Sequence, residues 1–84
     1  WNLHEELVEA LRALMEVERR RSIYADVMGY EVLSQEFGPC EFEGSSYLME
    51  RWLDRVIRKP AVEASAKAAA VLALLARAEE GDTR

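Results

Sequence analysis

The sequence predicts an all-α protein, a small bundle of three to four helices whose last helix is alanine-rich and which is completed by oligomerisation. Three observations carry that expectation. Apolar residues recur at helical spacing along most of the chain, and no segment alternates with the period of a strand. The stretch Pro60 to Glu80 is apolar on nearly every side, with Glu63, Lys67 and Arg77 marking its polar edge. Finally, the chain has 84 residues, which makes residues 1–84 a single helical domain. A domain of that size buries only about 60 to 65 % of the surface its unfolded chain exposes.

The elements follow in order. Asn2 to Val17 reads as an amphipathic helix with Leu3, Leu7, Ala10, Leu11, Leu14 and Val17 on one broad face and Glu5, Glu9, Arg12 and Glu16 on the other. Asn2 is the expected N-cap, with Glu5 three residues on, and Glu5 and Glu6 suit the positive end of the helix dipole. After Arg19, Arg20 and Arg21 the apolar positions resume on nearly the opposite side, at Ile23, Val27, Tyr30 and Phe37. Either the helix breaks near Arg20 to Ser22, where Ser22 could cap a new one, or it continues and gives its two halves to different neighbours. With no Gly or Pro between Asn2 and Tyr24, continuity is the preferred reading.

Phe37 to Gly44 contains a Gly-Pro pair and reads as the one clear loop. Gly44, Ser45 and Ser46 offer a helix start, and Leu48, Met49, Trp52, Leu53, Val56 and Ile57 then fill half of a helical wheel, with Trp52 the expected core anchor. Pro60 should begin a further helix, because a proline disfavours helical geometry at the residue before it, here Lys59. Gly81 is the expected stop.

Composition narrows the function. Half the residues are apolar and 32 % are charged, with a net charge of −5, the balance of a soluble globular protein that has no gross attraction to nucleic acid or an anionic membrane. The longest unbroken apolar run, Ala68 to Ala76, is far short of the roughly 20 residues a bilayer needs. Trp1 to Glu6 lacks the basic start and apolar run of a secretory signal, and the lack of an initiating Met fits a trimmed start. A cytoplasmic protein is the expectation. Cys40 is the one cysteine, so no internal disulfide can staple the fold, and with His4 as the one histidine no metal finger can either. Association with protein is the staple that remains.

The expected contact surface is the outer face of the last helix, chiefly Val71, Leu72 and Leu75, with Phe37 and Phe42 of the aromatic-acidic loop as a second surface. Ala66 with Ala73, and Ala69 with Ala76, recur seven residues apart and allow close approach of a second helix. Arg51, Arg55 and Arg58 form a stripe that could clamp an anion, but Glu50 and Asp54 on the same face can pair with them, so a solvated face is expected. Glu36, Glu41 and Glu43 lack the order of a calcium loop. Cys40 lacks an evident base and is expected to be a buried thiol.

The sequence therefore points to a non-enzymatic helical interaction module, a homo-oligomer or a subunit of a larger assembly. No catalytic, cofactor-binding or metal-binding residue is expected. Two alternatives are weighed against it: a nucleic-acid-binding regulator using arginine-rich helix faces, and a small helical enzyme holding an anionic substrate through Arg51, Arg55 and Arg58.

Overall fold

The computed structural model describes residues 3–41 and 44–82, and every regular element among them is helical. Helix α1 spans Leu3–Tyr24, α2 Gly29–Phe37 and α3 Ser46–Leu53; a π-helical turn, Asp54–Arg58, then leads into α4, Lys59–Asp82. The expected N-cap, Asn2, lies outside the described residues.

Helix α1 runs unbroken through its arginines, but the preferred single helix continuing through Ile23, Val27, Tyr30 and Phe37 is corrected, since it ends at Tyr24 and a second helix starts at Gly29. Glu16 supports α1 at the arginines, accepting from Arg19 three residues on at 2.6 Å and from Arg20 four residues on at 3.4 Å. The chain turns only at Ala25–Met28, where Asp26 N–H donates to Ile23 O and Gly29 N–H to Asp26 O. Val27, expected to line up with Ile23, sits in this turn and is fully exposed. The turn is tight because residue 29 is glycine: a Cβ there would overlap the Ile23 carbonyl oxygen and lie 2.7 Å from Tyr24 Cα.

The start of α3 matches its chemistry, since Ser45 has extended backbone and its hydroxyl accepts from Leu48 N–H. The expected break before Pro60 does not occur. Lys59 is helical, with φ −62° and ψ −48°, so one helical run extends from Ser46 to Asp82. Two features accommodate the proline. The turn before it is widened, Lys59 N–H donating to Asp54 O five residues back. Pro60 has no N–H to give the Val56 carbonyl four residues back, and Arg20 Nη1 donates to that oxygen instead at 2.9 Å. The expected stop at Gly81 is also passed, because α4 reaches Asp82.

These helices build a rod of 59 × 20 × 20 Å with a radius of gyration of 17.0 Å, against about 12 Å for a compact chain of this length. One end is a head in which Leu33, Cys40, Trp52, Val56 and Ile57 form the core, packed by Ile23, Tyr30, Phe37, Leu48, Met49 and Leu53. Trp52 anchors it as expected: it is 3 % exposed, its Nε1 donates to Gly38 O at 2.8 Å, and Tyr30 meets it edge-on at 5.0 Å. Tyr30 Oη also accepts from Cys40 N–H at 2.9 Å. The rest is an arm in which α1 lies antiparallel along α4. Lys67 pairs with Glu9 and Arg20 reaches Val56, so eleven steps forward on α1 are eleven steps back from α4 into the π-helical turn. Among the described residues, the buried positions of the arm are Ala10 and Val17 on α1 and Ala64 and Val71 on α4, each pair seven residues apart.

Candidate functional site

The arm has two unlike flanks. Each helix turns by about 100° per residue, so the side chains on either side of the buried seam can be placed around it. One flank carries Glu9 and Lys67, joined at 3.0 Å, with Glu16, Arg20 and Glu63 nearby. At the head end α2 packs against this charged side, with Glu36 3.2 Å from Arg19 and Phe37 stacked 4.1 Å from the Arg20 guanidinium. Between His4 and Glu18 of α1, which also lie on it, the other flank is uncharged and mostly apolar on both helices, with Ser65 its polar residue on α4. It bears Leu7, Leu11 and Leu14 on α1 and Ala68, Leu72 and Ala76 on α4, and it continues around α1 to Met15. Leu11 is 51 % exposed, Met15 70 % and Leu72 63 %. A continuous apolar strip on two adjacent helices is an unusual thing for a small protein to leave in water.

The sequence-expected contact residues fall on both sides of this boundary. Leu72 is on the exposed apolar flank and Leu75 is half-buried. Val71 is corrected: it is 2 % exposed, because one step along the helix turns it from the outer flank into the seam against α1. Phe37 ends α2. It lies half-buried against the head core beneath Arg20, and its carbonyl accepts from Arg55 Nη1 at 3.0 Å. Phe42 lies outside the described residues. Residues that the sequence did not nominate, Leu11, Leu14 and Met15, form the larger part of the exposed strip. Their signal was present in the breadth of the apolar face of α1, which exceeds what one neighbouring helix can cover.

The arginines do not act as one stripe. Arg58 turns to Glu50 at 2.6 Å and Asp54 at 3.0 Å, and these acids, Glu50 first, raise its pKa above the ordinary value. Arg51 stands over Tyr47 and Arg55 ties down the Phe37 carbonyl. The widened turn at Asp54–Arg58 sets later residues back in angle and thereby separates Arg58 from the other two. Arg51, Arg55 and Lys59 instead border an open cleft of about 740 Å³ that Trp52 and residues 38–40 also line. Glu41, Asp54 and Glu63 border it too, leaving formal charges that balance. Of the other basic run, Arg19 is held by Glu16 and Glu36 and Arg20 is bound inside the molecule.

Cys40 is buried, as expected. Glu36 is engaged with Arg19, Glu43 lies outside the described residues, and no group of three metal-ligating side chains occurs among the described residues. No described helix is long and apolar enough to cross a membrane. The chain matches no protein-family model, no curated protein and no solved structure.

Proposed function

We propose that this chain is a non-enzymatic helical interaction module, a regulatory, adaptor or assembly subunit that works as a homo-oligomer or within a larger complex. The observation that carries the reading is the apolar strip of Leu7, Leu11, Leu14 and Leu72, which runs across both helices of the arm while the opposite flank is charged. Covering such a strip with protein supplies the burial that a small domain lacks. The two competing readings have less to stand on. Regulation through nucleic acid needs free cations gathered on one face; Arg19, Arg20 and Arg58 are engaged within the molecule, and Arg12, Arg21, Lys59 and Arg77 are spread along the chain. Binding an anionic substrate through the arginine stripe needs Arg51, Arg55 and Arg58 together, and the π-helical turn parts them.

The test compares the wild type with a Leu11→Gln, Leu72→Gln double variant, both measured by light scattering alone and with host-cell extract. The wild type is expected to assemble with itself or with a stoichiometric protein partner, and the variant to lose that assembly while keeping its helical circular dichroism. A wild type that stays monomeric and gains no partner would overturn the reading. Retention of random DNA, RNA or a phosphorylated metabolite by the wild type at low salt, lost on changing Arg51, Arg55 and Arg58 to Gln, would replace it with an anion-binding function.

A further inference from the structure

We infer that the occupant of the apolar strip is a second copy of this chain, packed face to face about a two-fold axis running along the arm, so that two arms make a four-helix bundle. This rests on the interaction-module reading and names its partner. Three features select a copy of the chain itself.

The first is relief. On the apolar flank α1 presents a ridge of large side chains, Leu7, Leu11 and Leu14, while α4 beside it presents a shallow strip of Ala61, Ser65 and Ala68. A two-fold axis along the arm lays the ridge of each copy over the strip of the other and satisfies both at once, which is the self-complementarity an isologous interface requires. Alanine and serine in the receiving strip allow the close helix approach that bundle packing needs.

The second is area. Helix α1 has 22 residues and is about 33 Å long, and the rod is 20 Å across. The arm takes the Leu3 to Val17 part of that length, about 22 Å, so the footprint is about 440 Å² per copy, or about 900 Å² in total, the size of a weak, reversible interface. The head does not obstruct it, because α2 packs on the charged side of α1.

The third is charge. Two copies of a chain with net charge −5 repel one another wherever their acidic surfaces meet. Between His4 and Glu18, which bound it on α1, the apolar flank carries no acidic or basic side chain, nor does it from Ala61 to Ala76 on α4, whereas the opposite flank carries Glu9, Glu16 and Glu63 with Lys67 and Arg20. The uncharged flank is where two like-charged chains can meet without that penalty.

The experiment uses sedimentation equilibrium of the full chain from micromolar to millimolar concentration, with two bulky substitutions at exposed positions of α4. Ser65→Trp fills the receiving strip, and Ala70→Trp places the same bulk on the far side. The wild type is expected to pass from monomer to dimer within this range. Ser65→Trp should weaken the dimer by roughly a hundredfold, since each substitution acts twice across a two-fold axis. Ala70→Trp should leave it within about twofold. Circular dichroism of both variants reports that the monomer fold is kept, and Leu11→Glu, from the facing ridge, gives an independent route to the monomer. A monomeric wild type, or a dimer equally tolerant of both tryptophans, overturns the inference. If the wild type is monomeric but binds a different protein in stoichiometric amount, and Ser65→Trp abolishes that binding, the second copy is ruled out while the module reading stands. If it binds neither, both are lost.

Discussion

The head and the arm of this protein are both rich in apolar residues, the arm the more so, yet the head closes on itself and the arm does not. In the head, side chains converge from α1, α2, the Gly38–Cys40 segment and α3, so that Leu33, Trp52 and Val56 lose nearly all contact with water. In the arm two helices meet alone. A helix pair can bury only the narrow strip between its axes, and the described residues of the arm that become buried there, Ala10, Val17, Ala64 and Val71, are small. Larger neighbours such as Leu11 and Leu72 are left outside. The difference teaches that closure depends on how many elements converge, not on how apolar each one is. It also makes the arm the place where another protein can contribute stability.

The largest effect expected from breaking the head is that of Trp52→Ala. It removes a fully packed indole and the hydrogen bond to Gly38 O, and should cost roughly 3 to 5 kcal/mol in urea denaturation, enough to unfold a domain of this size. A loss under about 1 kcal/mol would mean that the head is not the stable region. Emission of Trp52, isolated in a Trp1→Phe variant, should be blue-shifted; emission typical of water-exposed indole would contradict the burial.

Gly29→Ala comes next. Alanine in a helix ordinarily gains up to about 1 kcal/mol over glycine, but here its Cβ meets the backbone of Ile23 and Tyr24. The expected outcome is a loss of about 3 kcal/mol, the upper end of overpacking costs. A melting temperature that rises on this substitution would show that the α1–α2 turn opens without penalty.

Arg20→Met keeps the aliphatic stem and removes the guanidinium that serves the Val56 carbonyl, Glu16 and the Phe37 ring. Leaving the carbonyl without that donor should cost about 2 kcal/mol. Faster hydrogen exchange should appear around Asp54–Arg58 and not in the middle of α4. Uniform acceleration along α4 would mean that Arg20 stabilises the helix generally and not the proline-containing turn.

The smallest effect is expected at Glu16, whose hydrogen bond from Arg19 holds its pKa below the ordinary 4.5 against the opposing effect of burial. A depressed folded-state pKa means that the contribution is complete above the unfolded value and is lost as pH falls through the lower folded one. With a side chain 37 % exposed, the interaction is largely screened. Glu16→Gln should cost about 0.2 to 1 kcal/mol at neutral pH, and the gap to the wild type should close on acidification below pH 4.5. A gap that persists in acid would assign the effect to packing instead of charge.

Much of this architecture is legible in the residues. The periodic apolar positions locate α1 and α3, the Gly-Pro pair marks the end of α2, and Ser45 caps α3 as its type and place suggest. Trp52 stands at the centre of its apolar arc and becomes the core anchor. The arginine stripe is the counterexample. Arg51, Arg55 and Arg58 share a face on an ideal α-helical wheel, and a single widened turn removes Arg58 from it. Pro60 misleads for a related reason: local preference favours a break before it, and the donor that spares the helix comes from Arg20, thirty-six residues away.

What the sequence determined by itself is the set of helices and the width of their apolar arcs, because both follow from interactions between residues a few positions apart. Only the tertiary structure decided how each arc is divided. Val71 and Leu72 are adjacent and both apolar, yet one is sealed in the seam and the other stands 63 % exposed. Nothing local distinguishes them. Their fates are set by where α1 lies against α4, which depends on the Glu9–Lys67 pair, the small residues Ala10 and Ala64, and the Arg20 bond to Val56. These contacts join distant parts of the chain, and their free energy appears only once both helices have formed and met.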